Sequence, residues 1–486
     1  MQALTNRFNP SQILAREAYT IQCSKVADHN PSEYLTSDGI VRFVQDVLGV
    51  QNIASYQVDI LQSLVEYRRV AVRSPHGAGK TALSAWVVLW AMVCFPGDVK
   101  VITTAGAWRQ LVHFLWPEIR KWAIRADFSK VGMTLTRGKE LLEQNIKLPN
   151  KEAFAVASDN PGMIEGAHAS TLVYVLDEAK VIPPETWDAV EGAFSTGDVY
   201  ALAISTPGET SGRFYAIQKR QSGYEDWHTR HITLDEAIAA GRINPDWVDQ
   251  RRKQWGEQSA VFQNRVLGEF AEADTDALIP LAWVEQANER WHACNGVGEG
   301  KVSLGCDPAR YGEDKTCIAI LTGNVLAPLR YTHKEDTMQT VGRVIQAVGS
   351  DKSIPITVDV IGIGAGVVDR LREQRYNVSG CNVSESTRQT DASGELGFIN
   401  LRSAIWWSLR EALNPANPDA LALPPDDILT GDLTAPKWTP TSTGKIKVES
   451  KEDVRKRLGR STDAADAVGL AWHGIHNQYK MDFFFA

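Results

Sequence analysis

The stretch Arg73-Ser74-Pro75-His76-Gly77-Ala78-Gly79-Lys80-Thr81 constrains this chain more than any other. An apolar run ends at Val72, Gly77 and Gly79 let backbone N–H groups approach an anion, and a helix is expected to open just after Lys80. Strand, glycine loop and helix in that order are what a triphosphate needs. The Lys80 ammonium would reach the β- and γ-phosphates as a point charge, and the Thr81 hydroxyl would take one coordination position on Mg²⁺. Ser74 stands where the usual motif has its first glycine. The plainer reading is a glycine-containing turn before a helix, so the rest of the chain has to supply the context.

With 486 residues the chain exceeds one ordinary core, and two or three domains are expected. Its 43% apolar and 23% charged residues are those of a globular protein. A formal charge of −8 argues against coating nucleic acid by bulk electrostatics and leaves room only for a local basic groove with transient DNA contact. The cysteines (23, 94, 294, 306, 317, 381) form no CxxC pair and have no histidine partners, so neither zinc nor a disulfide framework is implied and a reducing cytosol is the simplest compartment. The N-terminus lacks an apolar signal core. The longest apolar run, Thr81 to Phe95, is too short for a bilayer and reads as a buried helix, so no membrane association is expected.

Residues 1–50 carry no usable motif. At Ser55 an amphipathic helix begins, and its Tyr56-Gln57 pair has two readings: an aromatic and an amide that meet an adenine, or a half-exposed helix end. Asp98 to Thr104 reads as a strand, and Ala107-Trp108-Arg109-Gln110 opens a helix running toward Trp122, which is the alternation of a parallel α/β sheet. Thr171 to Asp177 is a continuous apolar run of the kind buried on both faces, and it delivers Asp177 and Glu178 at the end where such sheets bind ligands. Asp177 would hold Mg²⁺ and Glu178 would polarise the water that attacks the γ-phosphate. A third strand, Val199 to Ser205, ends at Ser205-Thr206-Pro207-Gly208, either a γ-phosphate sensor or a common turn.

From Gly212 the composition turns to polar helices with Trp227, Trp247 and Trp255, and residues 271–300 have linker composition. The implied division is an N-terminal segment 1–50, a domain 51–270 with a lid from about 212, a linker 271–300 and a second domain 301–486. That domain begins with a strand ending at Asp307, a turn carrying Gly312 and Asp314, and a strand from Thr316, which together read as a hairpin. A strand from Pro355 ends at Asp359 and is followed by Gly362-Ile363-Gly364-Ala365-Gly366; with Val367 at the third glycine position, this run fits a sharp strand-to-helix exit better than a dinucleotide fingerprint. Asp463 and Asp466 share one face at the start of a late helix. Acids on three separate elements are what two Mg²⁺ or Mn²⁺ ions of a phosphodiesterase need. Between Lys437 and Arg460 eight Lys or Arg face three acids, a solvated face or a phosphate-holding surface beside those carboxylates.

Taken together, SPHGAGKT, TTAGAWRQ, VYVLDEA, ISTPG, GCDPARYGEDKT, ITVDVIGIGAG and KIKVESKEDVRKRLGRSTDAADA resemble the large terminase subunit of tailed bacteriophages, in the family's order over residues 50 to 475. The resemblance implies an α/β chain with an N-terminal P-loop ATPase of the additional-strand (ASCE) type and a C-terminal ribonuclease-H-like nuclease. It implies ATP with Mg²⁺ in the motor, two Mg²⁺ or Mn²⁺ in the nuclease, and packaging of double-stranded DNA into a procapsid with cleavage at initiation and termination. The implied partners are the portal protein, the small terminase subunit and further copies in a ring, in the host cytoplasm rather than the mature virion. Residue by residue it places Gly77, Ala78, Gly79, Lys80 and Thr81 on the nucleotide, Tyr56 and Gln57 on adenine, Asp177 on magnesium, Glu178 as base and Ser205 to Pro207, Thr206 included, in the coupling motif. It places Asp307, Asp359 and Asp463 on the nuclease metals, with Asp466 competing for the third position. The family often has an arginine inside the phosphate loop; here that region holds His76, with Arg73 just before it.

Two other classes remain open from sequence: a helicase or translocase whose C-terminal domain binds DNA without cutting it, and a capsid-associated component with a vestigial loop.

Overall fold

The computed structural model describes residues 29–195, 197–271, 277–309, 315–441 and 444–476. Two compact units form: one holds the chain up to Pro245 together with Asn264–Phe270, the other holds Asp246–Gln263 and the chain from Ala271 on. The expected turn at Gly312 and Asp314 lies outside the described residues. Among the described residues no helix is long and apolar enough to cross a membrane.

The first unit is built on a seven-stranded sheet. Its strands are β1 (Arg69–Arg73), β2 (Val99–Ala105), β3 (Asn145–Leu148), β4 (Lys151–Ala157), β5 (Thr171–Asp177), β6 (Asp198–Ser205) and β7 (His228–His231). They lie in the order β3-β4-β2-β5-β6-β1-β7, parallel except where β3 meets β4. β6 therefore stands between the strand that feeds the glycine loop and the strand that ends in Asp177, which is the additional-strand arrangement. Register puts Arg73 opposite Ser205, Ile204 opposite Asp177 and Asp177 opposite Ala105, so the motif residues share one edge. Every residue of β5 is buried, because helices cover both faces of a parallel sheet. The helix Lys80–Cys94 is buried from Leu83 onward, and its Trp90 indole donates to the Tyr34 carbonyl at 2.8 Å. Burying a large apolar side chain contributes roughly 2–3 kcal/mol, so this helix fixes the end of the loop rigidly.

The second unit carries a mixed sheet of β8 (Val302–Asp307), β9 (Lys315–Thr322), β10 (Val325–Leu326), β11 (Arg330–His333), β12 (Ile356–Asp359) and β13 (Val378–Cys381). β8 and β9 pair antiparallel as the expected hairpin, while β12 pairs parallel with β8 and with β13. The order β10-β9-β8-β12-β13, with β11 also on β9, is ribonuclease-H-like. The helix Asp463–His476 lies against β8 at backbone distance. A Cβ on Gly305 would stand 2.0 Å from the Ala467 carbonyl oxygen, so only glycine fits there, and Ala464, Ala465 and Ala467 keep the helix face thin. Likewise, a Cβ on Gly364 would stand 1.7 Å from the Asp359 carbonyl oxygen, which accounts for the glycine run as a close strand-to-helix exit.

Residues 281–293, expected within a linker, form the helix Leu281–Ala293, whose Val284 and Ala287 are buried in the second unit's core. Their apolar spacing is sparse, and the polar ends on either side mask it at the level of composition. The helix Pro245–Trp255, expected in the lid of the first domain, belongs to the second unit as well. There the Trp255 indole donates to the Asp427 carbonyl at 2.8 Å.

Candidate active sites

In the first unit Gly77 and Gly79 have φ near +80°, a conformation that costs glycine little and turns the loop amides inward. Helix Lys80–Cys94 starts directly after them. Lys80 Nζ folds back onto the loop, donating to Ser74 Oγ at 3.2 Å and to the Pro75 carbonyl at 3.1 Å. Burial lowers the Lys80 pKa, and the nearby Glu178 and Asp177 only partly offset this. Burial likewise pushes Asp177 up to about 7, helped by Glu178 and opposed by Lys80. A dry ammonium and a dry carboxylate both lean toward neutrality, so the pocket is poised for added charge of both signs, which a metal triphosphate brings. Glu178 is held in the left-handed region at φ 48°, a backbone strain of about 1–3 kcal/mol that surrounding contacts must fix. One such contact is Ser205 Oγ, which donates to Glu178 Oε2 at 3.0 Å. Thus β6 and β5 connect at the acid itself, and Thr206 follows, buried.

Tyr56 and Gln57 are each only 1% exposed, which corrects the half-exposed reading. The Tyr56 hydroxyl donates to the Ala78 carbonyl at 3.0 Å. Gln57 Oε1 accepts from the Ala54 N–H at 3.2 Å, while Gln57 Nε2 is buried without a hydrogen-bond partner. That nitrogen lies 3.0 Å from where a Cβ on Gly79 would be, so an unsatisfied donor faces the loop. Arg73 is turned aside, paired with Glu269 at 2.7 Å. His76 sits among Lys80, Arg265 and Lys180, and burial, with those cations, holds its pKa well below the usual value. Its N–H donates to the Arg265 carbonyl at 2.9 Å. Sequence reading missed this cationic surround because Arg265 and Lys180 are remote from the loop in the chain.

In the second unit Asp307 and Asp359 end the paired strands β8 and β12 and are 6% and 7% exposed. Asp463 and Asp466 face them from the helix start. Among the described residues no ready-made metal cluster of His, Cys, Asp or Glu is present; three of the carboxylates converge on an ammonium instead. Lys451 Nζ lies 2.6 Å from Asp307, 3.2 Å from Asp463 and 3.3 Å from Asp466. Burial would lower its pKa, but Asp307, then Asp466 and Asp463, hold it well above the usual value. One ammonium thus faces three carboxylates. Asp307 is pushed up to about 8 by burial against the pull of Lys451. Asp359 is raised by burial and steadied by the Ile361 N–H at 2.9 Å.

The two helix acids differ. Asp466 accepts from Arg402 at 2.6 Å, the Trp406 indole at 2.9 Å and the Thr462 hydroxyl at 2.9 Å. Among the described residues, Asp463 accepts only the Lys315 N–H at 3.2 Å besides facing Lys451. Sequence reading took the 437–460 run as a surface and missed Lys451 as a carboxylate partner; Arg402 and Trp406 carry no sequence signal for their role, being some sixty residues from Asp466.

By chemical type, both sets of side chains offer hard oxygens, a carboxylate with a hydroxyl-bearing loop in one and four acids on three elements in the other, although among the described residues the acids are not arranged as a metal cluster.

No family model matches the chain. It is 22% identical over 426 residues to the probable terminase large subunit of Enterobacteria phage P7, spanning 80% of this chain and 81% of that one. Among solved structures, it is similar to the nuclease domain of the large terminase subunit gp2 of bacterial virus Sf6, with 22% identity and a TM-score of 0.36 over 40% of this chain and 98% of that one. It is also similar to the large terminase of a thermophilic bacteriophage, with 12% identity and a TM-score of 0.40 over 84% of this chain and 98% of that one. In sequence, the chain resembles a large terminase subunit along most of its length.

Proposed function

We propose that this chain is an ATP-driven DNA-packaging motor that also cuts the DNA it packages. The observation that carries the motor reading is the shared edge at which a glycine loop, Asp177, Glu178 and the Ser205 hydroxyl meet across β1, β6 and β5. Loop amides from Gly77 to Gly79 and the Lys80 ammonium bind the phosphates, Tyr56 and Gln57 brace the adenine side, and Thr81 and Asp177 hold Mg²⁺. Glu178 accepts a hydrogen bond from water aligned with the γ-phosphorus; the water oxygen forms the new P–O bond as the bond to the ADP oxygen breaks, and Glu178 takes the proton. Ser205 and Thr206 pass the change in Glu178 to β6.

In the second unit Asp307, Asp359 and Asp463 would hold two Mg²⁺ or Mn²⁺ ions, which supply positive charge at the attacking and leaving oxygens of a phosphodiester. Asp466, already satisfied by Arg402, Trp406 and Thr462, positions the helix and Lys451 rather than binding metal. Double-stranded DNA is the substrate, with the portal, the small terminase subunit and further copies of the chain as partners in the host cytoplasm. Lys451 inside the carboxylate cluster favours one rival, a translocase whose second unit binds DNA and does not cut it. Incubating the full chain with plasmid DNA and Mn²⁺, and separately with ATP, decides between them: cutting that disappears in Asp307→Asn supports the nuclease, and ATP turnover without any cutting supports the rival.

A further inference from the structure

The second unit contains a cleft of about 890 Å³ that has Asp463, one of the four clustered acids, in its wall. One side is the helix Pro245–Trp255, which sequence reading assigned to the other domain. That helix is firmly placed. Arg251 pairs with Asp427 at 2.9 Å and lies near the rings of Trp247 and Trp255, and Arg460 Nε donates to the Gln254 carbonyl at 2.5 Å.

The charges in this cleft sort into two groups. Three acids are already engaged: Asp426 caps the helix Asp427–Thr434 through the Ile428 and Leu429 N–H groups and accepts the Tyr331 hydroxyl, Asp427 is paired with Arg251, and Asp432 is paired with Arg460 and accepts the Ala464 N–H. Exposed cations also line the cleft: Lys253 from the helix Pro245–Trp255, Lys315 at the start of β9 and Arg455 from the helix Lys451–Leu458, beside the exposed but paired Asp427. Separate elements thus place three cations around a cleft that also has Asp463 in its wall. Lys456, on the same helix as Arg455, lies outside the cleft.

We propose that this cleft is the track of the DNA strand to be cut, with Lys253, Lys315 and Arg455 holding successive backbone phosphates. The assignment rests on the nuclease reading above and adds the substrate's path to it. The logic is electrostatic. A phosphodiester approaching four acids is repelled, and cations placed just outside the cluster restore the balance without occupying it. The Lys315 N–H donates to Asp463 at 3.2 Å, which ties the start of β9 to that acid, and the Lys315 ammonium lies 5.9 Å from the Tyr331 ring centroid in the cleft wall.

The test uses the full chain, a short DNA duplex, and Ca²⁺ in place of Mn²⁺ for binding. Lys253→Ala, Lys315→Ala and Arg455→Ala should each weaken binding about three-fold or more, and each should flatten the slope of log K against log salt by about 0.9. Cleavage in Mn²⁺ should show a raised KM, ATP hydrolysis without DNA should not change, and Lys456→Ala should behave as the parent. Parent-like binding and slope in the triple variant, with an unchanged melting temperature, overturn the track alone. An equal loss in Lys456→Ala, or equally tight, equally variant-sensitive binding of an RNA duplex, overturns it too. A parent that binds DNA in this variant-sensitive way and never cuts it overturns the nuclease reading and leaves the cleft as a binding surface.

Discussion

Two lysines, Lys80 and Lys451, each face buried aspartates, and their chemistry diverges. Lys80 is drawn back onto Ser74 and Pro75, and burial depresses its pKa; Lys451 sits within salt-bridge distance of three carboxylates, which raise its pKa. The first pocket offers an ammonium and loop amides, which on the proposed reading a triphosphate would complete. The second carries its own cation, so a divalent ion entering it competes with an ammonium already in place. One site is built to be filled and the other to be exchanged, although both are acids at the ends of parallel strands.

The contrast breaks most visibly if one unit's acids are removed. Asp307→Asn and Asp359→Asn remove charge at nearly constant shape, so cleavage of plasmid DNA in Mn²⁺ should fall to the detection limit while ATP hydrolysis stays within a few-fold of the parent. Loss of both activities together in either variant would mean that the two sites do not work apart.

The converse change is Glu178→Gln. It keeps the Ser205 contact and the left-handed backbone but removes the charge that orients water, so hydrolysis should fall about 100-fold or more with ATP still bound. Lys80→Ala should instead weaken nucleotide binding, measured by titration with a fluorescent ATP analogue. Hydrolysis at the parent rate in Glu178→Gln would remove it as the base.

How legible each site is in the sequence follows from how it is assembled. The geometry of the first sheet's edge was readable because its parts are contiguous: Gly77 to Thr81 form one loop and Asp177-Glu178 one strand end, each with a local pattern that dictates its backbone. The strands ending in Asp307 and Asp359 were readable for the same reason. Lys451, Arg402 and Trp406 were not, because their partners are distant in sequence and a lysine in a basic run looks like any solvated one. The helices Pro245–Trp255 and Leu281–Ala293 were assigned elsewhere because polar flanks hide a narrow apolar face, and only tertiary packing reveals which core it joins.

The pair Asp463 and Asp466 sharpens the contrast within the second unit. Burial alone would raise Asp466, yet Arg402 and then Lys451 hold it down at about 2. A carboxyl whose folded pKa lies below its usual 3.8 adds stability that is present above pH 3.8 and is lost as pH falls toward 2. Asp466→Asn should therefore cost about 2 kcal/mol at pH 7, with the gap between variant and parent closing over that acid window in urea unfolding followed by tryptophan fluorescence. Asp463→Asn should cost little stability and abolish cleavage; full activity in that variant would transfer the metal role to Asp466.

The smallest effect concerns Lys451 itself. Replacing it by alanine leaves Asp307, Asp463 and Asp466 without their shared cation, and beside proton uptake by Asp307 the excess negative charge can be offset by a metal ion bound more tightly. Two opposing effects meet here: the variant unit loses a buried ion-pair network, which destabilises it in the absence of metal, and gains attraction for Mn²⁺. Because the competing ammonium is gone, the second effect should govern the assay, and the Mn²⁺ concentration giving half-maximal cleavage should fall about ten-fold, a difference of about 1.4 kcal/mol in ion binding. The same variant should show a melting temperature below the parent's without Mn²⁺ and a larger rise when Mn²⁺ is added. ATP hydrolysis should be untouched, since Lys80 answers to a different pair of acids. A half-maximal Mn²⁺ concentration that stays the same or rises would mean that Lys451 assists the ions instead of competing with them, and the distinction between a site to be filled and a site to be exchanged would fail.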